Sequence, residues 1–91
     1  MALDFEPTGD LLSDLSQCIA MQTMVEFQYT DKKGEMSERK VAPLEIRGQG
    51  LYAWSIIKNG QGDGGLRFFL LAGIGSHQVV DERFDKEQFK S

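Results

Sequence analysis

Past residue 22 the chain is cut by glycine-containing turns into short segments whose apolar residues alternate, a pattern that fits a small, strongly curved β-sheet. Val25, Phe27 and Tyr29 alternate with Glu26, Gln28 and Thr30, the period of a strand with one wet face. Asp31 to Gly34 reads as a turn. A second extended segment runs from Met36 to Arg47, where Pro43 implies an edge position or a bulge that needs no ladder hydrogen bond. Gly48-Gln49-Gly50 closes a tight hairpin into Leu51 to Lys58, rich in aromatic and β-branched residues. A glycine-rich loop precedes Leu66 to Ala72, then Gly73 to Gly75, and His77 to Asp81 forms a short last strand.

Ahead of the strands, Leu11, Leu12, Leu15, Cys18 and Ile19 fall on one helical face, with Asp10 placed to cap the first turn and the helix ending near Met21. The expected fold is therefore mainly β: an N-terminal helix followed by a small SH3-like or Sm-like barrel of about five strands, closed to hide its edges. Residues 1–9 read as a loose leader, 10–84 as one domain and 85–91 as a tail. The stretch from Phe84 to Ser91 is either a last helical turn or a loose end. With 91 residues there is room for a single core.

Cys18 is the sole cysteine, which rules out an intrachain disulfide, and no stretch has the form of a signal peptide or the ~20 apolar residues of a membrane span. The cytoplasm is the expected compartment. A net charge of −4 argues against coating nucleic acid by bulk positive charge. The charge is uneven, however. Residues 39–67 carry Arg39, Lys40, Arg47, Lys58 and Arg67 against Glu45 and Asp63, so a basic face on an acidic protein is expected.

The order of landmarks resembles a WYL domain, the ligand-sensing unit of many bacterial regulators. These landmarks are Ala20-Met21, Phe27-Gln28-Tyr29, Arg39-Lys40-Val41-Ala42-Pro43, Leu51-Tyr52-Ala53, Arg67-Phe68-Phe69 and Ile74. The match spans roughly Cys18 to Phe84. The name-giving triplet keeps its tyrosine, Tyr52, and Gly73 stands where the family often has a second arginine. The helix-turn-helix reader and dimerisation extension of larger members have no counterpart here. The resemblance implies a regulatory sensor that binds a nucleotide-like or single-stranded nucleic acid ligand and changes the activity of a partner such as a transcription or defence complex. Carried over by position, Arg39, Tyr52 and Arg67 are its candidate ligand residues.

The residues support several readings. Arg39 and Arg67 have the planar fork of donors that grips phosphate or carboxylate, or else they pair with an acid such as Glu38 or Glu45. Arg47 and Lys40 are rim charges. Tyr52 and Trp54 lie two apart and share a face, where they stack a ring or fill the core; core is the favoured reading for Trp54. Phe68 and Phe69 point to opposite faces, and Phe69 shares its face with Arg67, whose stem it supports. Gly60 to Gly65 satisfies G-x-G-x-x-G, but no helix follows, so a hairpin loop or lid is expected rather than a dinucleotide site.

No catalytic, metal or cofactor site is expected. His77 is the only histidine, Ser76 and His77 point to opposite faces of a strand, Asp81 and Glu82 likewise alternate, and Cys18 reads as a small buried hydrophobe. The expected partners are a nucleotide or single-stranded nucleic acid, and a larger protein or a second copy. The competing function is a protein-interaction adaptor that offers a barrel edge or helix face and takes no small ligand.

Overall fold

A computed structural model describes residues 6–56 and 65–85. The elements are α1 (Leu11–Met21), β1 (Thr23–Thr30), β2 (Met36–Arg47), β3 (Gly50–Ser55), β4 (Gly65–Leu70), a 3-10 turn (Leu71–Gly73) and β5 (Ile74–Arg83). The glycine loop expected before β4 lies largely outside the described residues, as do the outer parts of the leader and tail.

Local chemistry sets the boundaries. The Asp10 carboxylate accepts from the Ser13 amide at 2.9 Å, capping α1, and Gln22 ends it in the left-handed region at φ 54°. The β1–β2 turn is organised by Asp31, whose Oδ1 accepts from the amides of Lys33 and Glu35 at 2.9 and 3.0 Å. A two-residue turn, Gly48-Gln49, joins β2 to β3. Pro43 sits in a central strand, at an irregularity where Pro43 faces Ala53 but the next partnership is Glu45 with Tyr52. The proline is thus accommodated by a bulge and not by an edge.

All strand pairs are antiparallel, in the order β4-β3-β2-β1-β5. Four strands form a meander, and β5 returns to the far side of β1 through the 3-10 turn, the connectivity of an SH3-like barrel. The curvature is evident across the sheet. Although β2 and β3 separate β1 from β4 in the ladder, the Leu70 amide of β4 donates to the Tyr29 hydroxyl of β1 at 3.1 Å. The Phe69 ring also meets those of Phe27 and Tyr29, with centroids 5.3 and 5.0 Å apart. The sheet has rolled until strands at distant positions touch.

The helix covers this roll with Leu15 and Cys18, both fully buried among Val25, Val41, Leu51, Ala53, Phe69 and Val79. At about 25 cal/mol per Å² of apolar surface, burying Leu15 alone contributes roughly 1.5 to 3 kcal/mol. Leu12, expected on the buried face, is instead 51% exposed: it falls on the solvent side of the stripe defined by Leu11, Leu15 and Cys18. The last strand is longer than expected, ten residues starting at Ile74, because it follows β1 from Tyr29 back to Thr23 with two register shifts. Phe84 is buried beyond it, and its amide donates to the Gln22 carbonyl at 2.9 Å, tying the end of β5 to the end of α1. Thr8 and Gly9, assigned to the leader by sequence, both donate to Asp14.

Candidate ligand-binding faces

Directly opposed residues of an antiparallel pair share a face. Leu51, Ala53 and Ser55 are buried, so Tyr52 and Trp54 stand on the outer face of β3, opposite Phe68 and Leu66 of β4. The Tyr52 and Phe68 rings lie 4.8 Å apart at 56°, and the Arg47 guanidinium carbon is 5.5 Å from the Tyr52 centroid. Arg47 is held there by Glu45, with its Nε and Nη2 at 3.1 and 3.0 Å from one carboxylate oxygen. Phe68 is 46% and Leu66 53% exposed. Large rings and an arginine therefore face solvent on one hairpin. Trp54 belongs to this outer face and is only partly buried, so it is not the core residue the sequence favoured. The interior volume is filled by Phe27, Phe69 and Leu51 instead.

The inner side carries the other two candidate arginines. Arg39 is opposite Phe27, its Nε donates to Ser37 Oγ at 3.1 Å, and its guanidinium lies 5.9 Å from the Phe69 centroid. Glu45, proposed as its partner, pairs with Arg47. Arg67 is opposite Ala53 and donates to the Leu66 carbonyl at 3.2 Å. Phe69 shares its side, as expected, but the guanidinium over its ring is that of Arg39. The four candidates thus divide: Tyr52 and Arg47 on the outer face, Arg39 and Arg67 on the inner.

Two further positions, one of them a cation, differ from expectation. Lys40 is engaged by both carboxylate oxygens of Glu82, at 2.5 and 2.6 Å, and is not an open rim charge. The position where the resemblance would place a second arginine, Gly73, has no room for a side chain. A Cβ there would lie 2.6 Å from the Thr30 carbonyl oxygen and 2.8 Å from the Tyr29 ring. Close packing of the 3-10 turn on the end of β1 requires glycine.

Clefts open on the barrel among the described residues. One, of about 440 Å³, lies between the β1–β2 turn and β4 and is lined by Tyr29, Asp31, Lys32, Lys33, Phe68 and Leu70. Another, of about 270 Å³, crosses β5, β1 and β2 and includes Glu26, Glu38, Arg39, Ser76 and His77. In the second cleft the His77 Nε2 is 2.8 Å from the Asp14 carboxylate and so is not directed at Ser76.

The Asp14–His77 contact was not anticipated. Asp14 is 1% exposed, and its carboxylate also accepts from the Thr8 amide at 2.8 Å, the Thr8 hydroxyl at 3.1 Å and the Gly9 amide at 3.0 Å. Burial pushes the carboxyl upward, but these bonds, from His77 foremost, outweigh it and hold the group at about 2. The signal was present in the helix: Asp14 is three residues from Leu11 and four from Cys18, a charged residue in the apolar stripe. Cys18 shares that stripe, and burial, with the Asp14 charge, pushes its thiol up to about 12.

Among the described residues no helix is long and apolar enough to cross a membrane. No family model matches the chain, and no curated protein matches it.

Proposed function

We propose that this protein is a non-enzymatic regulatory binding module, WYL-like in its order of motifs. It takes a nucleotide or single-stranded nucleic acid and modulates a partner complex. The observation that carries this reading is the outer hairpin, where the Tyr52–Phe68 ring pair faces solvent with Arg47 against it. Bases stack on exposed aromatic rings for roughly 1 to 3 kcal/mol each, and a guanidinium adds attraction for phosphate. Arg39 and Arg67 form a second cationic group on the inner side.

Fluorescence anisotropy of labelled DNA and RNA single strands tests it. Tyr52→Ala should weaken binding roughly 5- to 150-fold. If three phosphates are held, affinity should fall with a log-log salt slope of about −2, or roughly 20-fold between 50 and 200 mM salt. Loss in Arg39→Ala or Arg67→Ala with Tyr52→Ala unchanged would move the site to the inner side. Failure of the folded wild type to bind any strand or nucleotide would sink the reading.

A specific feature favours the second reading, a protein-interaction adaptor. β4 ends the sheet order and carries the exposed Leu66 and Phe68, as an edge that accepts a partner's strand would. Light scattering across concentration and pull-downs separate the two. In an adaptor, changes at Leu66 should abolish partner capture without any nucleic acid dependence.

A further inference from the structure

Of the side-chain cations among the described residues, Lys32 and Lys33 are the two whose ammonium groups meet no acceptor there. Lys40 is bound by Glu82, Arg47 by Glu45, Arg39 by Ser37, and Arg67 and Arg83 donate to backbone carbonyls. These two lysines are adjacent, and both line the cleft of about 440 Å³ whose opposite wall is Phe68 and Leu70. We propose that this cleft is the phosphate-holding part of the ligand site: Lys32 and Lys33 take the phosphoryl oxygens of a nucleotide unit while its ring lies against Phe68. The inference rests on the nucleotide-binding reading above and assigns it a location and two residues outside the motifs that suggested it.

Three features make the cleft more than a pair of surface lysines. The turn that carries them is pre-formed. Asp31 Oδ1 accepts the Lys33 and Glu35 amides, its carbonyl accepts the Gly34 amide at 3.0 Å, and its own amide donates to the Glu35 carbonyl at 2.9 Å. The one carboxylate in the lining is thereby directed at backbone amides and not at the lysines. Secondly, Tyr29 contributes a directed donor. Its oxygen accepts from the Leu70 amide, which fixes the phenol, and the hydroxyl proton has no acceptor among the described residues. Two ammonium groups and a phenol O–H form a donor-rich end suited to an anion.

The third feature is the apolar wall. Phe68 is half exposed and is the same ring that pairs with Tyr52, so a base on Phe68 continues onto the outer hairpin without a gap. The volume lies within the range of sites for nucleotide-sized ligands. Free mononucleotide and single strand present the same phosphate and ring, and the test separates them.

Titration calorimetry with adenosine and adenosine 5′-monophosphate, and anisotropy with a labelled oligothymidylate at 50 and 200 mM salt, are run on wild type, on Lys32→Gln/Lys33→Gln and on Tyr52→Ala. Glutamine at two exposed turn positions leaves the fold intact, which circular dichroism verifies. If free nucleotide is the ligand, wild type should prefer the monophosphate to adenosine by about tenfold or more, and the preference should collapse in the lysine variant. If the strand is the ligand, the lysine variant's salt slope should be shallower by about 1.4, two phosphate contacts fewer. Wild type and lysine variant binding every probe alike, with Tyr52→Ala impaired, would overturn this inference and leave the binding reading standing. No binding by wild type overturns both.

Discussion

The carboxylate of Asp14 and the imidazole of His77 meet at 2.8 Å across 63 residues of sequence, joining the first turns of the helix to the last strand. With Thr8 and Gly9 donating to the same carboxylate, one buried side chain ties together the chain before α1, α1 itself and β5. Such a centre is strong when complete and costly when broken, because the His77 side chain, 11% exposed, is set against this one buried carboxylate and loses its partner with it.

Asp14→Ala should therefore destabilise the protein by about 2 kcal/mol or more, lowering Tm by roughly 8 to 16 °C for a domain of this size. Leu12→Ala, on the exposed side of the same helix, should change Tm by far less. Equal melting temperatures for the Asp14→Ala variant and wild type would show that the centre contributes nothing net.

The same group sets an acid limit. Asp14 has a folded pKa depressed to about 2 from an ordinary 3.8, so its stabilising contribution is fully present above about 3.8 and is lost as pH falls through 2. Urea titrations at pH 5, 3.5 and 2.5 should show wild-type stability dropping across that window. In Asp14→Asn this part of the pH dependence should disappear; an unchanged slope would assign the acid sensitivity to other carboxylates.

Gly50 lies beneath the outer aromatic pair. A Cβ built on it would come 1.9 Å from the Phe68 ring, so Gly50→Ala should swing that ring off its place while leaving the barrel folded. The ring is half exposed and free to move, so the stability cost should stay near 1 kcal/mol, and it should vanish in a Phe68→Ala background. A cost that persists without the ring would place the strain in the backbone. The alanine variant should also lose ligand binding to about the extent of Phe68→Ala.

Cys18, fully buried with its thiol pushed up to about 12, should not react with a thiol-directed disulfide reagent at pH 8 in the folded protein. Its labelling rate should rise with urea in step with unfolding. Rapid labelling without denaturant would mean that α1 opens from the sheet locally.

Much of this architecture is legible in the sequence because it is local. The Asp10 cap, the alternation through Tyr29, the Asp31 turn and the tight glycine hairpin are each decided by a few consecutive residues, and the strand count follows. Pro43 also announces its irregularity. What is not legible is the outcome of closure. Trp54 looks like core until the roll of the sheet fills the interior from Phe27 and Phe69. The partner of His77 is fixed by tertiary packing, although the misplaced charge of Asp14 on the apolar stripe was there to be read. The division of the arginines between faces depends on how many residues the bulge absorbs, which no single-residue preference encodes.

That bulge works like a change of reading frame. Before Pro43 the odd-numbered residues of β2, Arg39 and Val41, share a side with buried partners; after it the even-numbered Ile46 does, opposite Leu51. Arg39 and Arg47, an even number apart, would lie on one side of an unbroken strand and are sent to opposite sides here. Deleting Leu44 would straighten the strand and leave Glu45, Ile46 and Arg47 with their present partners, whereas regular pairing with Leu44 retained would turn all three over, burying charge and exposing Ile46. In this strand the bulge between two arginines, more than their identity, decides which surface of the protein is basic.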